Sequence, residues 1–131
     1  MSAASDEMWD AMAAASNELA EELGLGQDPF TPRSLSAIDR WVAKHKGPLD
    51  EQEGLRLGFF LARVLCAEHN GGLSQIRKKN HPLNGQWTVT GFARGLANDY
   101  HVPFMVSAGR IGLDRSLTAK KWYEELLREG Q

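Results

Sequence analysis

The stretch from Leu55 to Ala67 constrains the fold more than any other part of the chain. Wound at 3.6 residues per turn, Leu57, Phe59, Phe60, Leu61, Val64, Leu65 and Cys66 leave almost no polar face. A helix that is apolar all round must be enclosed by other elements, so the spacing predicts a central buried helix over about 51–69. Asp50 with Glu53 supplies a capping-box-like start, and Gly71 is placed to stop the helix. Gly54, Gly58 and Ala62 recur every four residues and leave one stripe without side chains. No strand precedes this stripe, so it reads as a packing surface rather than a phosphate loop. The apolar run is too short to cross a bilayer and is broken by Arg56, Gly58 and Arg63, so no membrane span is expected.

The enclosing elements follow from periodicity and punctuation. A first helix is expected from about Asp6 to Leu23, capped by Ser5, with Met8, Met12, Ala15, Leu19 and Leu23 on its packed face and Glu18, Glu21 and Glu22 outside. Gly24 is suited to a left-handed cap that folds Leu25 back onto the last turn. Thr31 and Pro32 open a second helix carrying Leu35, Ile38, Trp41 and Val42, and Gly47-Pro48 ends that segment. From Gly71 to Gly85 the pattern fails and a long loop is expected. Beyond it, alternation predicts a hairpin over about 86–102, with Trp87 opposite Val102, Val89 opposite Tyr100 and Gly91 opposite Asn98; a short helix from Ala93 to Tyr100 competes. Pro103 to Gly112 leans to helix. A last helix runs from about Ser116 to Arg128, burying Leu117, Trp122, Tyr123, Leu126 and Leu127. The expected fold class is α+β, mostly helical: about four helices around the central one, with one small hairpin.

At 131 residues the chain is the size of a single domain, taken as 1–131. Its charge is divided unevenly. Residues 1–54 hold eleven acids against four bases, and residues 55–131 hold eleven bases against six acids, although the whole is only −2. Such polarity steers a basic partner toward the acidic part, though segregated charge is also common on solvated helices. The lone Cys66 and an acidic N-terminus that lacks the basic region of a secretory signal predict a cytoplasmic address.

Catalytic chemistry is not signalled. His69, His81 and His101 could meet Asp99 or Asp114, but no histidine pair has the spacing of a helical metal site, so neither metal nor cofactor is expected. Cys66 sits in the most apolar helix, where a thiol behaves as a small hydrophobe with a raised pKa. The serines lack the small-residue elbow that exposes a nucleophile. The residues most available for recognition are Glu18, Glu21 and Glu22 on the first helix, and Arg77, Lys78 and Lys79 in the loop. The basic run would suit nucleic acid or an acidic protein, but the chain pI near 6.1 sets repulsion against nucleic acid over much of the surface.

Read together, Ser34 to Trp41, Leu57 to Leu65, Asn70-Gly71-Gly72, Gln86-Trp87, Val102-Pro103-Phe104 and Ser116 to Leu126 resemble a group of small uncharacterised bacterial domains over roughly residues 31–127. Some proteins of this style are similar to immunity proteins of toxin–immunity pairs, including those linked to type VI secretion. The resemblance implies a non-enzymatic cytoplasmic protein that neutralises a cognate toxin by covering its active site. The competing expectation is a small nucleic-acid-associated regulator that uses the loop at 77–79. A hydrolase using His69, His81 or His101 ranks behind both.

Overall fold

The computed structural model describes residues 3–131. Helix α1 (Ala3–Glu22) leads through a 3-10 turn (Pro32–Ser34) to α2 (Leu35–Ala43) and α3 (Glu51–His69). Two short strands follow, β1 (Gly72–Gln75) and β2 (Trp87–Thr90), then α4 (Phe104–Ala108), a π-helical turn (Gly109–Leu113) and α5 (Ala119–Glu129). The fold is α+β and mostly helical, with one two-stranded antiparallel sheet. Among the described residues, no helix is long and apolar enough to cross a membrane.

Helix α3 has the expected bounds and the expected enclosure. Phe60, Leu61, Ala62, Val64 and Leu65 are all fully buried, and α1, α4, β2 and the π-helical turn pack around them. Each large side chain so buried contributes roughly 1.5–3 kcal/mol relative to exposure. Asp50 accepts from the Glu53 backbone N–H at 2.8 Å while Glu53 accepts from the Asp50 N–H at 3.1 Å, closing the capping box. At the other end Asn70, not Gly71, takes the left-handed cap, with φ 56°. Asparagine tolerates that region because its short side chain can bond locally. Gly71 is needed for a different reason: an added Cβ would overlap the buried Val89 and Phe92.

The stripe of small residues divides. Gly58 is packed tightly under Met105 and Ala108 of α4, whereas nothing comes within 4 Å of the place a Gly54 Cβ would occupy. Gly54 therefore weakens the helix by about 1 kcal/mol relative to alanine without a compensating internal contact.

Helix α1 has already begun at Ala3, so Ser5 lies inside it and is not its cap. Its C-terminus closes as expected. Gly24, at φ 64°, donates its N–H to Glu21 O, and Leu25 donates to Ala20 O, the two bonds of a Schellman motif. Thr31 precedes the 3-10 turn but makes no side-chain bond to its amides. Helix α5 starts at Ala119 rather than Ser116. Its free amides are met by Thr118 Oγ1, which accepts from Lys121, and by Asp39 of α2, whose two oxygens accept from Ala119 at 2.6 Å and Lys120 at 3.2 Å.

The strand at Trp87 forms, but its partner differs from the expected one. β2 pairs with β1, setting Trp87 opposite Gln75 and Val89 opposite Leu73. The segment expected to complete the hairpin supplies only a bridge from Val102 to Val89, and Gly91 donates to Asn98 O as a second stitch. Residues 93–100 form neither strand nor helix. The loop expected at Gly71 to Gly85 is thus a strand followed by a hairpin loop. Its stem continues through the Ile76 N–H to Gln86 O bond and the Gly85 N–H to Ile76 O bond.

Two glycine substitutions in one region should act in opposite directions. Gly71→Ala should destabilise by about 1–3 kcal/mol through overpacking against Val89 and Phe92, and Gly54→Ala should stabilise by about 0.5–1 kcal/mol. Urea unfolding midpoints of both variants check this, and equal effects would refute the assignment of open and closed space at the two positions.

Candidate functional site

A groove of about 1240 Å³ lies between the C-terminal end of α1, the loop from Gly24 to Thr31, and the last turns of α3. The loop is shaped by left-handed backbone at Gly24, Gly26 and Asp28. It returns Phe30 onto α3, where its ring centre lies 5.2 Å from that of Phe60. The Arg63 guanidinium stacks on the outer face of Phe30, 3.9 Å from the ring centroid, and Nη1 donates to Ser16 Oγ at 3.1 Å. Among the described residues no carboxylate lies within ion-pair distance of Arg63, and burial holds its pKa below the ordinary arginine value. Glu21 of α1 and Glu68 of α3 also line the groove.

Of the residues picked out for recognition, Glu18 and Glu21 are exposed on α1. Glu22 is not a free contact residue. Its Oε2 accepts from Trp41 Nε1 at 2.7 Å and its Oε1 accepts from Arg56 Nη2 at 2.8 Å, so one carboxylate ties α1 to both α2 and α3. The Arg56 N–H bond, reinforced by Trp41, keeps the Glu22 carboxyl below its ordinary pKa against the opposing effect of burial. Arg77, Lys78 and Lys79 are exposed together at the tip of the β1–β2 hairpin, apart from the groove. Turns hold that tip in shape: His81 N–H donates to Lys78 O at 2.9 Å and Asn84 N–H to His81 O at 3.0 Å.

The three histidines considered for catalysis are each engaged locally. The Nδ1–H of buried His69 donates to the Arg94 carbonyl, which leaves Nε2 to accept from the Tyr123 hydroxyl at 2.8 Å. His81 Nδ1 accepts from the Leu83 N–H, and His101 Nδ1 lies 3.0 Å from Thr88 Oγ1. Among the described residues no three His, Cys, Asp or Glu side chains are grouped as metal ligands would be. Burial pushes the Cys66 thiol up to about 12, so it stays protonated near neutral pH.

Sequence reasoning noted Arg63 only as an interruption of the apolar run, and it missed Phe30 as the floor beneath it. The usable signal was the arginine itself, since a base placed in an otherwise dry helix needs either a partner or a path to water. Comparison with protein-family models, with curated proteins and with solved structures finds no match to this chain.

Two charged links predict opposite pH dependences. His45 sits between the Trp41 carbonyl at 2.8 Å and Glu53 Oε2 at 2.6 Å, both acceptors, so its imidazolium form fills both bonds. Its pKa is raised above 6.5, chiefly by the Glu53 bond. Its stabilising effect should be complete below the unfolded-state value and fade as pH rises through the folded-state one. The Glu22 contribution should instead persist at neutral pH and fade as pH falls through its lowered pKa. Urea midpoints against pH for His45→Gln and Glu22→Gln, each compared with the wild type, check both signs.

Proposed function

We propose that this protein is a cytoplasmic partner-binding protein, of the immunity type, that neutralises a bacterial toxin by lying across its active site. The observation that carries this reading is the pairing of two exposed carboxylates, Glu18 and Glu21, with the open groove on the flank of the same helix. Glu22, one residue further on, anchors that helix to α2 and α3, so the acidic face is presented by a rigid element. Pre-organised charge of this kind mainly raises the association rate and rejects like-charged partners. A basic toxin surface is the complement it would meet.

The test is co-expression with the product of the adjacent gene, followed by binding kinetics. A complex should form, and Glu18→Lys with Glu21→Lys should slow association by about tenfold at low salt with little change in stability. Glu22→Lys should instead unseat α1 and lower the unfolding midpoint. An unchanged association rate in the double variant would remove this face from the interface, and absence of any complex or protection would count against the function.

A second reading, a nucleic-acid-associated regulator, is favoured by one observation: three consecutive bases crown a hairpin tip that other elements leave uncovered. If the tip contacts phosphates, retention on DNA or RNA should fall steeply with salt and be lost on replacing Arg77, Lys78 and Lys79 by serine. No retention at low salt would exclude it.

A further inference from the structure

A second hollow, of about 290 Å³, shares no residue with the groove beside α1 and lies between the first turns of α3 and the α4 to π-turn segment. Leu49, Leu55, Met105, Ala108 and Leu113 make it apolar. Leu55 and Leu113 remain 37% and 60% exposed, the latter the most exposed large hydrophobic side chain among the described residues. Gly54 and Gly109 line it, and neither has any atom within 4 Å of its absent Cβ, so a visiting backbone could approach closely there. The only ionisable side chains in the lining are Asp50 and Glu51, and among the described residues neither is in an ion pair. The hollow is therefore an apolar slot with a negatively charged end.

We infer that this slot receives an amphipathic helix of a partner protein, which inserts a large apolar side chain over Gly54 and sets a lysine or arginine one turn away against Glu51. Residues three or four apart share a helix face, so one turn can supply both the anchor and the base. Met105 lends the wall adaptability, since an unbranched thioether repacks around different anchors. A second copy of this chain fits less well, because an isologous contact would present the same base-free acidic patch to itself. The slot is independent of the acidic face of α1, so either surface can fail its test without the other.

Two synthetic amphipathic helical peptides serve as probes, one built from leucine and lysine and one with glutamate in place of lysine, each titrated into the full-length protein while backbone amide NMR signals are followed. The leucine–lysine peptide should shift the signals of Gly54, Leu55, Gly109, Gly112 and Leu113 as a group, and the leucine–glutamate peptide should not. Gly54→Met, which fills the slot at a position with open space, should weaken binding by roughly tenfold without lowering the unfolding midpoint. Glu51→Lys should weaken it to a similar degree. The inference is overturned if the shifts scatter over the surface, if both peptides bind alike, or if Gly54→Met leaves affinity unchanged. It is equally overturned if the protein self-associates through this slot and Gly54→Met abolishes that association, which would assign the slot to a second copy.

Discussion

Enclosure of the middle turns of α3 is the condition that the other elements satisfy. Phe59, Phe60, Leu61 and Ala62 are consecutive and buried, so they point in different directions around the helix, and each needs a dry neighbour. Helix α1 covers one side, α4 and the π-helical turn another, and β2 lies across the C-terminal half. The contact with α4 depends on Gly58 having no side chain, which lets α4 lie close enough for Met105 and Ala108 to rest on the helix backbone. Phe59 extends the same packing to Phe104, with ring centres 5.7 Å apart.

Polar side chains then fix how the covering elements are oriented, which burial alone leaves loosely specified. Glu22 gathers Trp41 and Arg56, Asp39 meets the first amides of α5, and Arg115 reaches back to the carbonyls of His45 and Gly47. Trp122 Nε1 donates to Ser107 Oγ at 2.9 Å, fastening α5 to α4 inside the core. These links join residues far apart in the chain. They also set Glu22, tied to Trp41 and Arg56, apart from Glu18 and Glu21, which form no ion pair among the described residues.

Much of the helical architecture was legible in the sequence because helices announce themselves locally. The bounds of α3 follow from Asp50, Glu53 and the apolar run, and the end of α1 follows from Gly24. The strand pairing was less legible for a physical reason. β1 is four residues long, begins with glycine and carries Ser74 and Gln75, so it has no alternation to set it apart from a loop; only its contact with Val89 and Thr88 makes it a strand. Alternation in 96–102 was real but reflected burial of Leu96 and Val102 in the core rather than ladder pairing. The double role of Glu22 was hidden for a similar reason, since its partners stand 19 and 34 residues away. Glu18 and Glu21 could be placed on an exposed face by periodicity, but the groove beside them depends on Phe30 folding back, which no local pattern records.

The hairpin that carries Arg77, Lys78 and Lys79 has a practical corollary. Its stem closes at Ile76 and Gln86, below the basic residues, so the peptide bonds at the tip carry none of the ladder between the strands. Severing the chain there would leave β1 and β2 still paired, with α1, α2 and α3 on one fragment and α4 and α5 on the other. The two fragments share the interior built around α3, which makes the tip a natural place to split the molecule into complementing halves or to graft in a reporter segment.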